Sequence, residues 1–192
     1  MTYDGARYLD SQLESIYRQD WPNWRIFARD DGSTDTTKAI LDRWAKIIQL
    51  TVKRGPHLGA KASFLELLYG CGADSEMTAF ADQDDVWHRD KITRAVKALA
   101  ALPPKEPAMY CSRAQIVDAK LRVLGMTRDW PRPPSFANAL VENCAMGCTT
   151  VLNEAAVRLL TSAPPPAHAC MHDWWCYLVV AAFGTVIFDP RP

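Results

Sequence analysis

The chain predicts an α/β fold with a mostly parallel sheet covered by helices on both faces. Three observations carry that prediction. Up to Pro103-Pro104 the apolar pattern runs helix, strand, helix, strand, helix, strand, helix. The strands are short apolar runs, and they stop abruptly at charged residues or at turn formers. Such alternation is satisfied by parallel strands joined through crossover helices, and the strand ends of open α/β sheets are where ligands gather.

The elements follow in order. Met1-Thr-Tyr-Asp-Gly5 is a turn, and helix spacing begins at once with Leu9, Leu13, Ile16 and Tyr17 on one face. Pro22 in Trp21-Pro22-Asn23 ends that helix, because it cannot continue the hydrogen-bond ladder. Trp24 to Ala28 has strand composition and halts at Arg29-Asp30-Asp31-Gly32-Ser33. Thr34 and Asp35 can cap a second helix, which faces inward through Ile40, Leu41, Trp44 and Ile48. A short strand at Leu50 to Val52 leads into the loop Lys53 to Gly59, and a helix from Ala60 to Tyr69 packs through Phe64, Leu67 and Leu68.

The strand Met77 to Ala81 runs straight into Asp82-Gln83-Asp84-Asp85-Val86-Trp87, and a helix follows from about Asp90 to Leu102. Beyond it, Met109 to Val117 and Leu121 to Leu124 read as strands paired through Asp118 to Lys120. Arg128 to Pro134 is a proline-rich loop of a kind that serves as a lid or binding rim. Ser135 caps a helix through Leu140, Cys144 to Leu152 reads as a strand interrupted by Gly147, and Asn153 to Leu160 as a helix. Pro164 to Pro166 form a stiff connector. A helix from near Asp173 and a strand Thr185 to Phe188 close the chain, and Gly184 breaks their apolar run well short of a bilayer-spanning length.

With 192 residues, the chain is long enough for one domain with a substantial core. Lys plus Arg and Asp plus Glu number 22 each, so the net charge is zero, which argues against a broad electrostatic grip on nucleic acid or an anionic membrane. The six cysteines include no Cys-x-x-Cys, so reduced thiols are expected, and they read as small buried hydrophobes rather than zinc ligands.

Three carboxylates in four residues, Asp82, Asp84 and Asp85, repel one another unless a cation lies between them, and hard divalent ions take oxygen ligands of this kind. The same acids also fit a solvated turn capping the next helix. Four such features now stand at element ends: Tyr3-Asp4-Gly5, Asp30-Asp31-Gly32-Ser33, Asp82-Gln-Asp84-Asp85 and His172-Asp173-Trp174-Trp175. In this order they resemble the family 2 glycosyltransferases of GT-A fold, in the bacterial branch described as rhamnosyltransferase-like. The likeness runs from Thr2 to about Pro190. Its most specific part is Asp82 to Trp87 followed by Asp90-Lys91.

The resemblance implies roles. Asp31 would contact the nucleotide base and Tyr3 would line the same pocket, Asp82 would hold the ribose, and Asp84 would hold a Mg²⁺ or Mn²⁺ on the diphosphate of a UDP- or dTDP-sugar, with Asp85 supporting or capping. Asp173 would be the general base of a single inverting displacement by the hydroxyl of a saccharide or lipid-linked acceptor. Gly147 and Trp174 would border that acceptor. Residue by residue, plainer readings stand beside these: a turn for Asp30 and Asp31, a helix cap for Asp173, core packing for Trp174 or Trp175, a β-bulge for Gly147, and a solvated basic face for Lys53, Arg54 and Lys61. His57 and His88 carry no assignment. Where many relatives have an acid, this chain has His172.

One domain is expected, with a nucleotide-sugar half at 1–102 and an acceptor half at 103–192. Family members carry an apolar strand before the Thr-Tyr-Asp-Gly turn, central between the strands at Ile26 and Thr78, and continue past the position of Pro192. The chain is therefore expected to lack the first strand, and to be a fragment truncated at both ends or to carry a misplaced start. The implied setting is cytoplasmic, at the inner face of the membrane with peripheral attachment, in polysaccharide synthesis, and with no nucleic-acid partner. The alternatives are a non-catalytic remnant with weak or no nucleotide binding and a nucleotidyltransferase, which shares the sheet and the metal–diphosphate chemistry.

Overall fold

The structure is a computed structural model and describes residues 1–71, 75–164 and 167–192. The chain divides into two compact units, Met1–Asp74 with Ala81–Arg94, and Ser75–Phe80 with Ala95–Pro192. The halves expected on either side of residue 102 are thus interleaved, since the short strand before the acidic cluster packs with the second unit.

In the first unit, helix α1 (Leu9–Tyr17) buries Leu9, Leu13 and Ile16, the i, i+4, i+7 face its spacing dictates. Strands β1 (Ile26–Asp30) and β2 (Leu50–Arg54) pair in parallel, Ile26 beside Leu50 through Asp30 beside Arg54. Helix α2 (Thr37–Trp44) makes the crossover between them. Leu9, Leu13, Ala28, Ile40 and Leu41 form the core, with Ile26, Trp44, Leu50 and Val52 packed around it. Each buried Leu or Ile contributes about 1.5–3 kcal/mol. Where family members carry the central strand that this chain is expected to lack, Thr2 makes a parallel bridge to Asp30. Its N–H donates to Arg29 O at 2.9 Å and its carbonyl accepts from Asp31 N at 2.8 Å. Helix α3 (Ala60–Cys71) completes the unit.

The second unit is built on a sheet of β3 (Met77–Ala79), β4 (Ala108–Ser112), β7 (Val151–Asn153) and β8 (Thr185–Asp189), in the order β3-β7-β4-β8. β4 and β8 are parallel, while β7 runs antiparallel to both β3 and β4. β4 is buried at every residue, which is why it reads as a continuous apolar run. The strand expected from Met109 to Val117 is divided between β4 and β5 (Gln115–Val117), and β5 pairs with β6 (Val123–Met126) in a hairpin around Asp118. Helix α4 (Lys91–Ala100), α5 (Phe136–Ala139), α6 (Glu154–Thr161) and α7 (His172–Phe183) complete the elements. Asn153 ties the unit together: its Oδ1 caps α6 by accepting from Ala156 N and also accepts from Ala108 N, both at 2.9 Å. Of the proline connector, residues 165 and 166 lie outside the described residues.

The segment expected as a strand from Cys144 departs from the reading. Gly147–Thr149 is a 3-10 turn, and the strand is only Val151–Asn153. The backbone has other partners there. Gly147 N donates to the Asp173 carboxylate at 2.9 Å, and the Thr149 and Thr150 hydroxyls donate to Met146 O at 2.9 and 3.0 Å.

Gly184 stops α7 for a steric reason. A Cβ there would lie 1.9 Å from the Pro107 carbonyl oxygen, the same carbonyl that accepts from Thr185 N at 2.9 Å. Backbone cannot retreat as a side-chain tip can. Gly184→Ala is expected to destabilise by about 1–3 kcal/mol, read as a lower midpoint in urea denaturation; an unchanged midpoint contradicts the contact.

Candidate functional site: acidic cluster and helix-start carboxylate

In the first unit three turns converge. Tyr3-Asp4-Gly5 is stitched to the turn after β1. Asp4, at φ 44, accepts from Thr34 N at 2.7 Å; Asp4 N donates to Ser33 Oγ at 3.0 Å; and Gly5 N donates to Thr37 Oγ1 at 2.8 Å. The acidic turn is clamped to the same place by Gln83, whose Oε1 accepts from Tyr3 N at 2.8 Å and whose Nε2 donates to Tyr3 O at 3.0 Å. That pair of bonds imitates a strand ladder with a side chain.

Asp31 is fully buried. Its carboxylate accepts from the N–H groups of Leu58 and Gly59 at 2.8 Å each and from Ser63 Oγ at 2.9 Å, and pairs with Arg29. His57 Nδ1 stands 3.0 Å from Asp31 Oδ2, and its ring lies 4.2 Å from that of Tyr3. Burial works to raise the Asp31 pKa, but the two amides, the Ser63 hydroxyl and Arg29 outweigh it and hold the carboxyl below its ordinary value. Arg29 is itself buried, with further partners in Glu66 at 3.0 Å, Ser63 Oγ at 3.2 Å and Pro56 O at 2.9 Å. Asp30 holds the turn by accepting from Ser33 N at 3.2 Å.

Tyr3, Asp31 and the acids from Asp82 onward are therefore joined within one unit through His57 and Gln83. Among the acids, Asp82 and Asp85 are half-buried and Asp84 is exposed. Carboxylate oxygens of Asp82 and Asp85 lie within 4.8 Å of one another. The rest of the motif is an anchor: Trp87 is buried, its backbone N–H donates to Ser15 Oγ at 3.0 Å, and the Lys91 ammonium sits 3.7 Å from its ring centroid. Lys53 and Arg54 have acidic partners in Glu66 and Asp42, in keeping with a structured basic face.

In the second unit Asp173 lies in the first turn of α7. Its Oδ1 accepts from its neighbour Trp174 N at 2.7 Å and its Oδ2 from Gly147 N at 2.9 Å. Through Trp174 N it serves an open N–H of a helix start, as a capping acid does, and through Gly147 N it brings Gly147 beside Asp173. Trp174 is half-buried, with Nε1 donating to Ala139 O at 2.7 Å. Gln83, His57, Arg29 and Ser63 were not singled out by sequence. Gln83 lay in plain view inside the acidic motif and Arg29 two residues before Asp31, whereas the Leu58 and Gly59 N–H groups come from a loop more than 25 residues on, which no local pattern reveals.

His172 is buried, edge-on to Phe80 with ring centroids 5.0 Å apart. Burial pushes its imidazole down to about 4, against an opposing pull from Asp173. The unfolded chain, at about 6.5, takes up the proton first. The stability His172 contributes is full above the unfolded value and lost as pH falls from there toward about 4. His172→Phe is expected to flatten that part of the stability–pH curve, measured by urea denaturation at neutral and mildly acidic pH. An equally steep loss in the variant contradicts it.

The family model described as glycosyl transferase family 2 matches residues 1–148. The chain is 26% identical over 192 residues to the dTDP-rhamnosyl transferase RfbG of Shigella flexneri, covering 92% of this chain and 63% of that protein. It is 27% identical over 153 residues to the putative teichuronic acid biosynthesis glycosyltransferase TuaG of Bacillus subtilis (strain 168), covering 79% and 58%. It therefore spans less than two thirds of either relative. Among solved structures it is similar to S. aureus TarS 1-349, with a TM-score of 0.69 at 17% identity over 99% of this chain and 58% of that one. TarS 1-349 in complex with UDP matches with the same TM-score over 97% and 55%. At that identity the likeness is one of fold, the GT-A fold expected from the motifs. No described helix is long and apolar enough to cross a membrane.

Proposed function

We infer the activity from one premise: the chain belongs to glycosyl transferase family 2. The reading is an inverting, metal-dependent transfer of a sugar from a nucleotide-diphosphate donor to a hydroxyl of a saccharide or lipid-linked acceptor. The observation that carries it is the joining of Tyr3, Asp31 and the Asp82–Asp85 turn within one unit through Gln83 and His57. TarS, of the same fold, has been solved with UDP and with UDP-GlcNAc, and RfbG is named for a dTDP-sugar.

On this reading Tyr3 and His57 offer ring faces to a base, and Asp31 fixes the Leu58–Gly59 turn beside them. Asp82 binds the ribose. A divalent Mg²⁺ or Mn²⁺ would be held by Asp84, which is exposed, in a turn whose Asp82 and Asp85 oxygens lie within 4.8 Å of one another. When bound, the cation offsets the charge of the departing nucleoside diphosphate. Asp173 accepts the proton of the attacking hydroxyl. Two of its lone pairs are held by Gly147 and Trp174 N–H groups, and a carboxylate offers about four. Gly147 and Trp174 border the acceptor. The family's setting, in polysaccharide synthesis at the inner face of the cytoplasmic membrane, completes the reading.

Calorimetry with UDP and dTDP, with and without Mn²⁺, tests it. Binding that tightens with metal in the native chain and weakens by about tenfold or more, roughly 1.4 kcal/mol, in Asp84→Ala supports it. Binding indifferent to both metal and Asp84→Ala rejects the metal assignment.

A further inference from the structure

The second unit holds a cleft of about 170 Å³. Its walls include Ser112, Arg128, Trp130, Glu142, Asn143 and Cys144. Pockets for drug-sized ligands run to about 300–1,000 Å³, so this one suits a single ring. Its chemistry is that of an amphipathic, uncharged guest. Trp130 supplies a broad apolar surface, with the Arg128 guanidinium over one side of the ring, 4.6 Å from its centroid. Ser112, Asn143 and the Arg128–Glu142 pair supply donors and acceptors together. Arg128 gives the cleft no net positive charge, because Glu142 also lines it and lies 3.3 Å from the guanidinium. The cleft also has a fixed relation to the base: Met146 lines it, and the next residue, Gly147, donates to Asp173 at 2.9 Å.

We propose that this cleft binds one neutral pyranose ring of the acceptor, with Trp130 as its stacking face. The proposal rests on the glycosyltransferase reading above, because that reading makes the neighbour of Asp173 an acceptor. Trp130 and Glu142 are then specificity-determining residues contributed by the proline-rich loop 128–134 and the segment after α5. A sugar ring laid on the indole presents its rim hydroxyls to Glu142, Asn143 and Ser112. A phosphate has no such use for the indole.

The test is saturation-transfer difference NMR on the full chain with the methyl glycosides of rhamnose, glucose and N-acetylglucosamine, each at about 10 mM, a range that detects millimolar affinity. At least one glycoside is expected to bind the native chain, to lose most of its signal in Trp130→Ala, and to recover it in Trp130→Phe. UDP affinity in the presence of Mn²⁺ should be the same in all three, which also shows that they are folded. The proposal is overturned if no glycoside binds the native chain, if Trp130→Ala binds as well as native, or if inorganic phosphate displaces the glycoside. In Asp173→Asn the glycoside signal should persist. Full transfer by that variant, with the Trp130 dependence intact, would remove the base assignment and leave the cleft standing.

Discussion

Asp173→Asn is expected to lower kcat for transfer by about 10²–10⁴, the range that a positioned general base contributes, while leaving UDP binding unchanged. The substitution keeps the shape but not the function. Asparagine offers one accepting oxygen, so one of the N–H groups of Trp174 and Gly147 loses its partner. That loss costs about 1 kcal/mol, small enough for the fold to persist, which circular dichroism and a urea titration will show. Single-turnover rates with a nucleotide sugar and an accepted saccharide give the decisive number. A native-like rate would leave Asp173 as a helix-start acid and nothing more.

Arg29→Met carries the largest expected effect on stability, a loss of about 3–5 kcal/mol. Arg29 and Asp31 are both buried, and methionine fills much of the volume while leaving the carboxylate without its cation. Glu66 and Ser63 lose a donor in the same step. The penalty should depend on pH in a fixed direction. The folded pKa of Asp31 lies below the unfolded value, so the stability it contributes is full above the ordinary carboxylate range and lost as pH falls through the lower folded value. The gap between native and Arg29→Met is therefore widest near neutrality and narrows in acid as Asp31 is protonated. Denaturation midpoints at several pH values measure it, and a gap that widens in acid would contradict the assignment of Asp31 as the charge left behind.

Much of this was legible because local pattern and tertiary burial agree. The spacing of Leu9, Leu13 and Ile16 marks the face that α1 buries, and the apolar run at β4 marks a strand buried on both sides. The acids at the strand ends were visible for the same reason, since they interrupt runs that packing otherwise keeps apolar. Three things were not visible. The direction of β7 depends on its partners β3 and β4, which are distant in sequence. The turn at Gly147 exists because a carboxylate 26 residues later takes its N–H, so strand propensity is overruled from outside the segment. The single-ring cleft draws on residues from Ser112 to Phe188, each unremarkable alone.

Gly5 and Gln83 illustrate how such distant pairs constrain one another. A Cβ at Gly5 would stand 2.3 Å from the Gln83 amide oxygen that accepts from Tyr3. The vacancy at one position is thus the seat of the other's side chain. The two residues occupy one steric slot, 78 positions apart, so a side chain at Gly5 would have to displace the Gln83 amide from the Tyr3 backbone. Gln83, seated there, ties Tyr3 to the acidic turn through bonds of 2.8 and 3.0 Å to its backbone.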